Sequence, residues 1–160
     1  ELFMDARDAG KIGNFGFSTH DRQLAARAIV DGWETVMVRH NAAHTCAERE
    51  VFPVVAEYGA KAVTFSNMLY TRMLRKRDGQ PPPYEPVDCY RYSLSQAGVV
   101  ATVSAPRSVA QLRGNLKVLE QPTLDEEQQA RMRRFAEPLL VEDRRLREIS
   151  KSSHSMDDSR

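Results

Sequence analysis

The chain has 160 residues, 41% hydrophobic and 28% charged, a length and composition that suit one ordinary globular domain with a single core. Its 23 basic against 22 acidic side chains leave a formal net charge of +1, which gives no support to nucleic acid or an anionic membrane as the main partner. Cys46 and Cys89 stand far apart, excluding a CxxC redox motif or paired-cysteine zinc knuckle and fitting a reducing cytoplasm, and no apolar run approaches the roughly 20 residues that span a bilayer.

The start, Glu1 to Asp5, lacks the basic opening of a signal peptide and lies inside what reads as a helix, so further sequence upstream is expected. Residues 1–9 form a short amphipathic helix closed by Gly10. Ile12 to Phe17 alternates like a strand, and Ser18-Thr19 offers an N-cap to a helix from His20 to Asp31, where Leu24, Ala25, Ala28 and Ile29 recur at helical spacing. Thr35 to Val38 reads as a buried strand and Ala47 to Tyr58 as a helix, with Pro53 near its start and Gly59 at its end. Ala62 to Ser66 is a third strand. The loop after it carries Pro81-Pro82-Pro83 and Pro86, which no helix interior or central strand tolerates. A helix from about Val87 to Gln96, a strand from Val99 to Ser104 and a helix from Ser108 to about Glu120 follow. Thr123-x-x-Glu126 is a capping-box pattern opening a charged helix to about Ala136. Pro138 starts a further stretch, Leu139 to Ile149, in which Arg144-Arg145-Leu146-Arg147 reads as a solvated face. Residues 150–160 have almost nothing to bury and are expected to form a disordered tail beyond a domain of 1–149.

Four strands alternating with helices predict an α/β fold with a parallel sheet, because parallel neighbours need long crossovers. Either an open doubly wound sheet or half of a closed (β/α)8 barrel fits the pattern. Gly13, Gly16 and Ser18 do not compose a GxGxxG loop, so the usual Rossmann phosphate turn is absent.

The turn after the fourth strand places helix N–H groups beside Arg107, an arrangement that suits a phosphate. Ser108 fits equally as a plain N-cap and Arg107 as a solvated charge. Ser18 and Thr19 can likewise serve as a plain N-cap, Asn41 can satisfy its own loop, and Phe65 can simply pack in a core. His20, His40 and His44 lack metal-ligand spacing, and His40 and His44 fall in a predicted loop with no acidic partner close by. Tyr70, Arg72, Arg75 and Lys76 make a basic, aromatic stretch after the third strand.

Three stretches, in order, resemble the second half of the aldo-keto reductases. Gly10 to His20 (GKIGNFGFSTH) is similar to that family's GKIRxxGxSNH segment. Val36 to Asn41, with Glu48 and Glu50-Val51-Phe52-Pro53, is similar to VQxxYN…E…EVLP, and Ala105 to Leu116 is similar to PGxRSxEQLxEN. The resemblance implies the C-terminal half of a TIM-type (β/α)8 barrel plus C-terminal helices, with NADP(H) favoured over NAD(H). It assigns Arg107 and Ser108 to the 2′-phosphate or ribose and Gln111 and Asn115 to the adenosine portion. Ser18, Thr19, Asn41, Phe65 and Ser66 fall at the nicotinamide end, although Thr19 lacks the amide of the family's asparagine. Met37 replaces a glutamine, Gly114 a glutamate, and Thr71 stands where a small residue is usual.

The family's catalytic Asp, Tyr, Lys and His come from the half that this chain lacks, so no catalytic residue is assigned and the chain alone is expected to be inactive. Its implied partners are the missing N-terminal half-barrel or a second copy, and a small carbonyl substrate once complemented. A catalytically silent binding or interaction protein, including an NADP(H) sensor, is the alternative. Val36, Val38, Val63, Phe65 and Val103 are expected to face the barrel interior.

Overall fold

The computed structural model describes residues 2–77, 79 and 83–155, with side chains as far as residue 142. Glu1, Asp78, Gln80, Pro81 and Pro82 lie outside the described residues, as do 156–160 of the expected tail and the side chains of the Arg144 to Arg147 run. In chain order the elements are α1 (Leu2–Asp8), β1 (Gly16–Thr19), α2 (Arg22–Val30), β2 (Thr35–Arg39), α3 (Ala47–Glu50), α4 (Phe52–Glu57), β3 (Lys61–Phe65), α5 (Pro86–Leu94), β4 (Val99–Thr102), α6 (Val109–Leu116) and α7 (Glu126–Ser155). The strands form one parallel sheet in the order β1-β2-β3-β4.

Local chemistry moves several boundaries away from the sequence expectation. β1 occupies Gly16–Thr19 rather than Ile12 to Phe17, since its ladder with β2 starts at Gly16. A Cβ at Gly16 would sit 2.5 Å from the carbonyl oxygen of Thr35, so only glycine permits that approach. Phe15 packs edge-on against Trp33 instead of pairing. Because β1 runs through Ser18-Thr19, the cap of α2 is Asp21, whose Oδ1 accepts from the backbone N–H of Gln23 and Leu24. The helix expected over Ala47 to Tyr58 is broken at Val51 (φ −124°), because Pro53 has no N–H and its ring would meet the carbonyl of the preceding turn. Pro86 lies in the first turn of α5, where a missing N–H costs nothing. The capping box of α7 pairs Asp125 with Gln128, not Thr123 with Glu126. α7 also continues through Pro138 instead of ending near Ala136. Met132, Phe135, Ala136 and Leu139 form a stripe at i, i+3, i+4 and i+7 whose burial holds the helix together across the proline.

Register decides which side chains share a face. Phe17, Val36 and Ala62 lie abreast, as do Val38 and Thr64, and this face packs on Ala25 and Ile29 of α2 and on Val51, Phe52 and Val55. Val36 and Val38 are thus under the helices and not on the opposite face, which corrects the expectation for those two. Ser18, Met37, Val63 and Ala101 line up on the other face, where Phe65 and Val103 also fall. That face is the open one, and Val103 is 48% exposed. A second core joins the stripe of α7 to Ala42, Ala43, Leu69, Met73, Cys89 and Tyr92, covering the segments that leave β2 and β3.

Candidate functional site

Parallel strands deliver all their following segments to one rim, and there two of them form the walls of a groove of about 460 Å³. Met68, Thr71 and Leu74 line it from the segment after β3. Ala105, Pro106, Arg107, Gln111 and Asn115 line it from the segment after β4, and Pro86 and Tyr90 of α5 complete it.

The β4 wall is set by its own hydrogen bonds. Ser108 caps α6, its Oγ accepting from the N–H of Gln111 at 3.1 Å, and Gln111 Oε1 accepts from the N–H of Arg107 at 2.7 Å. Asn115 Nδ2 donates to Ser104 Oγ at 2.8 Å, and that hydroxyl pairs with Tyr90 at 3.0 Å. Arg107 lines the groove just before the start of α6, is exposed and forms no ion pair among the described residues, so its guanidinium stands unneutralised.

The opposite wall is strained. Ser66, Leu69, Tyr70 and Thr71 have φ of 59°, 48°, 53° and 68°, a left-handed backbone that costs each non-glycine residue about 1–2 kcal/mol. Two asparagines grip this segment. Asn41, fully buried, donates from Nδ2 to the carbonyl of Ser66 at 2.9 Å, while its Oδ1 accepts from the N–H of Ala43 and His44. Asn67, also buried, donates from Nδ2 to Thr64 Oγ1 at 2.9 Å and to Ser93 Oγ at 2.7 Å, and its Oδ1 has no partner among the described residues.

Ser93 continues inward. Its hydroxyl meets His40 Nδ1 at 2.9 Å, and His40 Nε2 meets Glu48 Oε1 at 3.1 Å. Tyr92 donates to that same carboxylate oxygen at 2.7 Å and accepts from Arg133 of α7. The His40 ring is stacked on Tyr92 and meets Phe52 edge-on. Burial holds the His40 pKa below its ordinary value despite Glu48. Neutral His40 then accepts from Ser93 at Nδ1 and donates from Nε2 to Glu48. For Glu48 burial alone would raise the pKa, but hydrogen bonds from His40 and Tyr92 and the charge of Arg133 outweigh it, so the carboxyl is held low. Burial pushes the Tyr92 phenol well above its usual range and the Cys89 thiol up to about 12, which keeps that thiol protonated at neutral pH.

The sequence-derived residues fall into separate groups. Arg107, Gln111 and Asn115 line the groove, whereas Ser108 shapes it as a cap. Asn41 and Ser66 bind each other. Phe65 meets His20 edge-on at 5.2 Å, near Thr19, whose hydroxyl accepts from the N–H of Asp21, and Ser18 is exposed on the open face. His40 was expected to lack an acidic neighbour and has Glu48. Asn67, Tyr92, Ser93 and Arg133 were not singled out for this role.

A parallel sheet in chain order, covered by helices on one face and grooved at its C-terminal rim, defines half of a TIM-type (β/α)8 barrel rather than a doubly wound sheet, in which helices cover both faces. Solved structures agree. An aldo-keto reductase from Bacillus halodurans is similar in its holo form (TM-score 0.69, 16% identity, 83% of this chain and 53% of that one). Its apo form is similar too (TM-score 0.68, 16% identity, 83% and 54%). A structure bearing the name 2,5-diketo-D-gluconic acid reductase B matches with TM-score 0.63, 16% identity and coverage of 82% and 48%. No family model and no curated protein matches the sequence. At this identity the likeness shows the fold, and the chain spans about half the length of the structures it matches. Among the described residues no helix is long and apolar enough to cross a membrane.

Proposed function

We propose that the chain is the cofactor-binding half of an NAD(P)H-dependent reductase of aldo-keto type, a cytoplasmic enzyme acting on small aldehyde and ketone carbonyls. The observation that carries this reading is that Arg107, with no ion-pair partner among the described residues, lines the groove next to the capped start of α6. An anionic ligand with a polar, ring-bearing end fits that lining: Arg107 for a phosphate, Gln111 and Asn115 for the groups around it. A bound nicotinamide dinucleotide supplies the hydride. Phe65 and His20 offer a flat edge at the rim, with Ser18 and Thr19 beside them, and Asn41 and Ser66 shape the site from behind. Proton donation to the carbonyl falls to the half-barrel that the chain does not contain, which would also cover the open sheet face. The chain alone is therefore expected to bind nucleotide and turn nothing over.

Calorimetric titration with NADPH, followed by NADPH consumption against a panel of aldehydes and ketones with and without a complementing N-terminal half, tests this. Binding alone, then turnover on complementation, is the expected result. Absence of NADPH binding overturns the reading. A second reading, a nucleotide-binding protein without turnover, is favoured by Asn41, whose amide is used up within its own loops. It predicts binding with no turnover even after complementation.

A further inference from the structure

The strained wall of the groove does not hold itself. Ser66, Leu69, Tyr70 and Thr71 are left-handed without the help of a glycine, and Asn67 in their midst has a buried acceptor with no partner among the described residues, so this segment is in a conformation that its own residues disfavour. What opposes relaxation is visible in the hydrogen bonds. Asn67 spends both amide protons on Thr64 and Ser93, and Ser93 is fixed in turn by His40, itself gripped by Glu48 and stacked on Tyr92. The chain of contacts starts in the groove wall, crosses α5 and the end of β2, and reaches α7 through Arg133. Ser93 and His40 are fully buried, and neither lines the groove.

We propose that the series Asn67–Ser93–His40–Glu48–Tyr92, buried except for a half-buried Glu48, is a positioning device that holds the 66–71 segment in its left-handed form and so gives the groove its shape. None of its members lines the groove. Part of the test rests on the nucleotide reading above and part is independent of it.

Hydrogen exchange is the independent part. The N–H groups of Leu69, Arg72, Met73 and Leu74 bond within the segment and report its conformation. In Asn67→Ala and in Ser93→Ala, these amides exchange about tenfold faster while those of β2 and β3 keep their protection, because one buried hydrogen-bond anchor has gone from one place only. Ser93→Ala removes a single hydroxyl and carries the comparison should Asn67→Ala not fold. A second variant separates positioning from general destabilisation. Tyr70 is 61% exposed, and Tyr70→Gly relieves the left-handed strain without opening a core. Combined with Ser93→Ala it restores most of the lost protection. Unchanged exchange at the four amides, a uniform acceleration across the whole chain, or no recovery of protection when Tyr70→Gly is added to Ser93→Ala overturns the proposal.

NADPH affinity is the dependent part, expected to weaken about tenfold in Ser93→Ala. If the unaltered chain binds no NADPH but the amides respond as described, the groove reading fails and the positioning device stands. If NADPH binds equally to both proteins and the amides do not respond, the device fails and the groove reading stands.

Discussion

Replacing Arg107 by alanine separates a binding cation from a structural one. The guanidinium has no protein partner among the described residues and is exposed, so its loss is expected to change folding stability by no more than about 0.5 kcal/mol. Against a 2′-phosphate it would make a charge-assisted hydrogen bond, about 1.5–3 kcal/mol, which corresponds to roughly 10- to 150-fold weaker NADPH binding. NADH offers only a ribose hydroxyl there, and its loss is expected to be about 0.5–1.5 kcal/mol, or roughly 2- to 12-fold. Titration of both nucleotides into the two proteins by calorimetry, at low and moderate salt, reads this difference directly. Added salt should weaken NADPH more than NADH in the unaltered protein and narrow the gap in the variant. Equal losses for both nucleotides would remove the 2′-phosphate assignment, and no loss for either would return Arg107 to the solvated charge that its sequence context also allows.

Gly98→Ala is expected to destabilise the fold by about 2–5 kcal/mol, from a left-handed alanine (φ +78°) and a Cβ 2.6 Å from the buried Val55 Cγ1; a change in the urea midpoint equivalent to under 1 kcal/mol would refute this. Acid should weaken the protein in two stages. His40 has a folded pKa below 6.5, so its contribution is complete above that pH and declines as pH falls from 6.5 through the lower folded value. Glu48 is likewise depressed, so its share is complete above about 4.5 and lost below. Urea midpoints from neutral pH downward in the unaltered chain and in His40→Phe should differ in the first stage, and identical pH profiles would show that His40 carries none of it. Sedimentation of the isolated chain should show self-association through the open sheet face and the edge strands β1 and β4, whereas a monomer at every concentration would contradict it.

Much of the framework was legible because βα alternation is a short-range pattern, and each strand was placed to within a few residues. Facing was harder. Val36, Met37 and Val38 are all apolar, so alternation could not say which of them lay under the helices, and only the register with Ala62 and Val63 decides. The helix across Pro138 was misread because a local rule about proline was overruled by burial of Met132, Phe135, Ala136 and Leu139. Within the candidate site, the groove wall from Arg107 to Asn115 was readable as a contiguous motif. The support behind the other wall was not, since His40 and Ser93 are 53 positions apart and Asn67 and Ser93 are 26 apart. No window of sequence spans such a set.

Every strand in this sheet points the same way, so the turns that lead into strands, at 31–34, 58–60 and 95–98, lie at the end away from the groove. None of these turns lines the groove. The two ends of the sheet thus answer to different demands: one shapes the candidate groove, while the other, away from it, is where changes of chain length are expected to be tolerated. Gly98 marks the limit of that tolerance, since the last of these turns is packed against Val55.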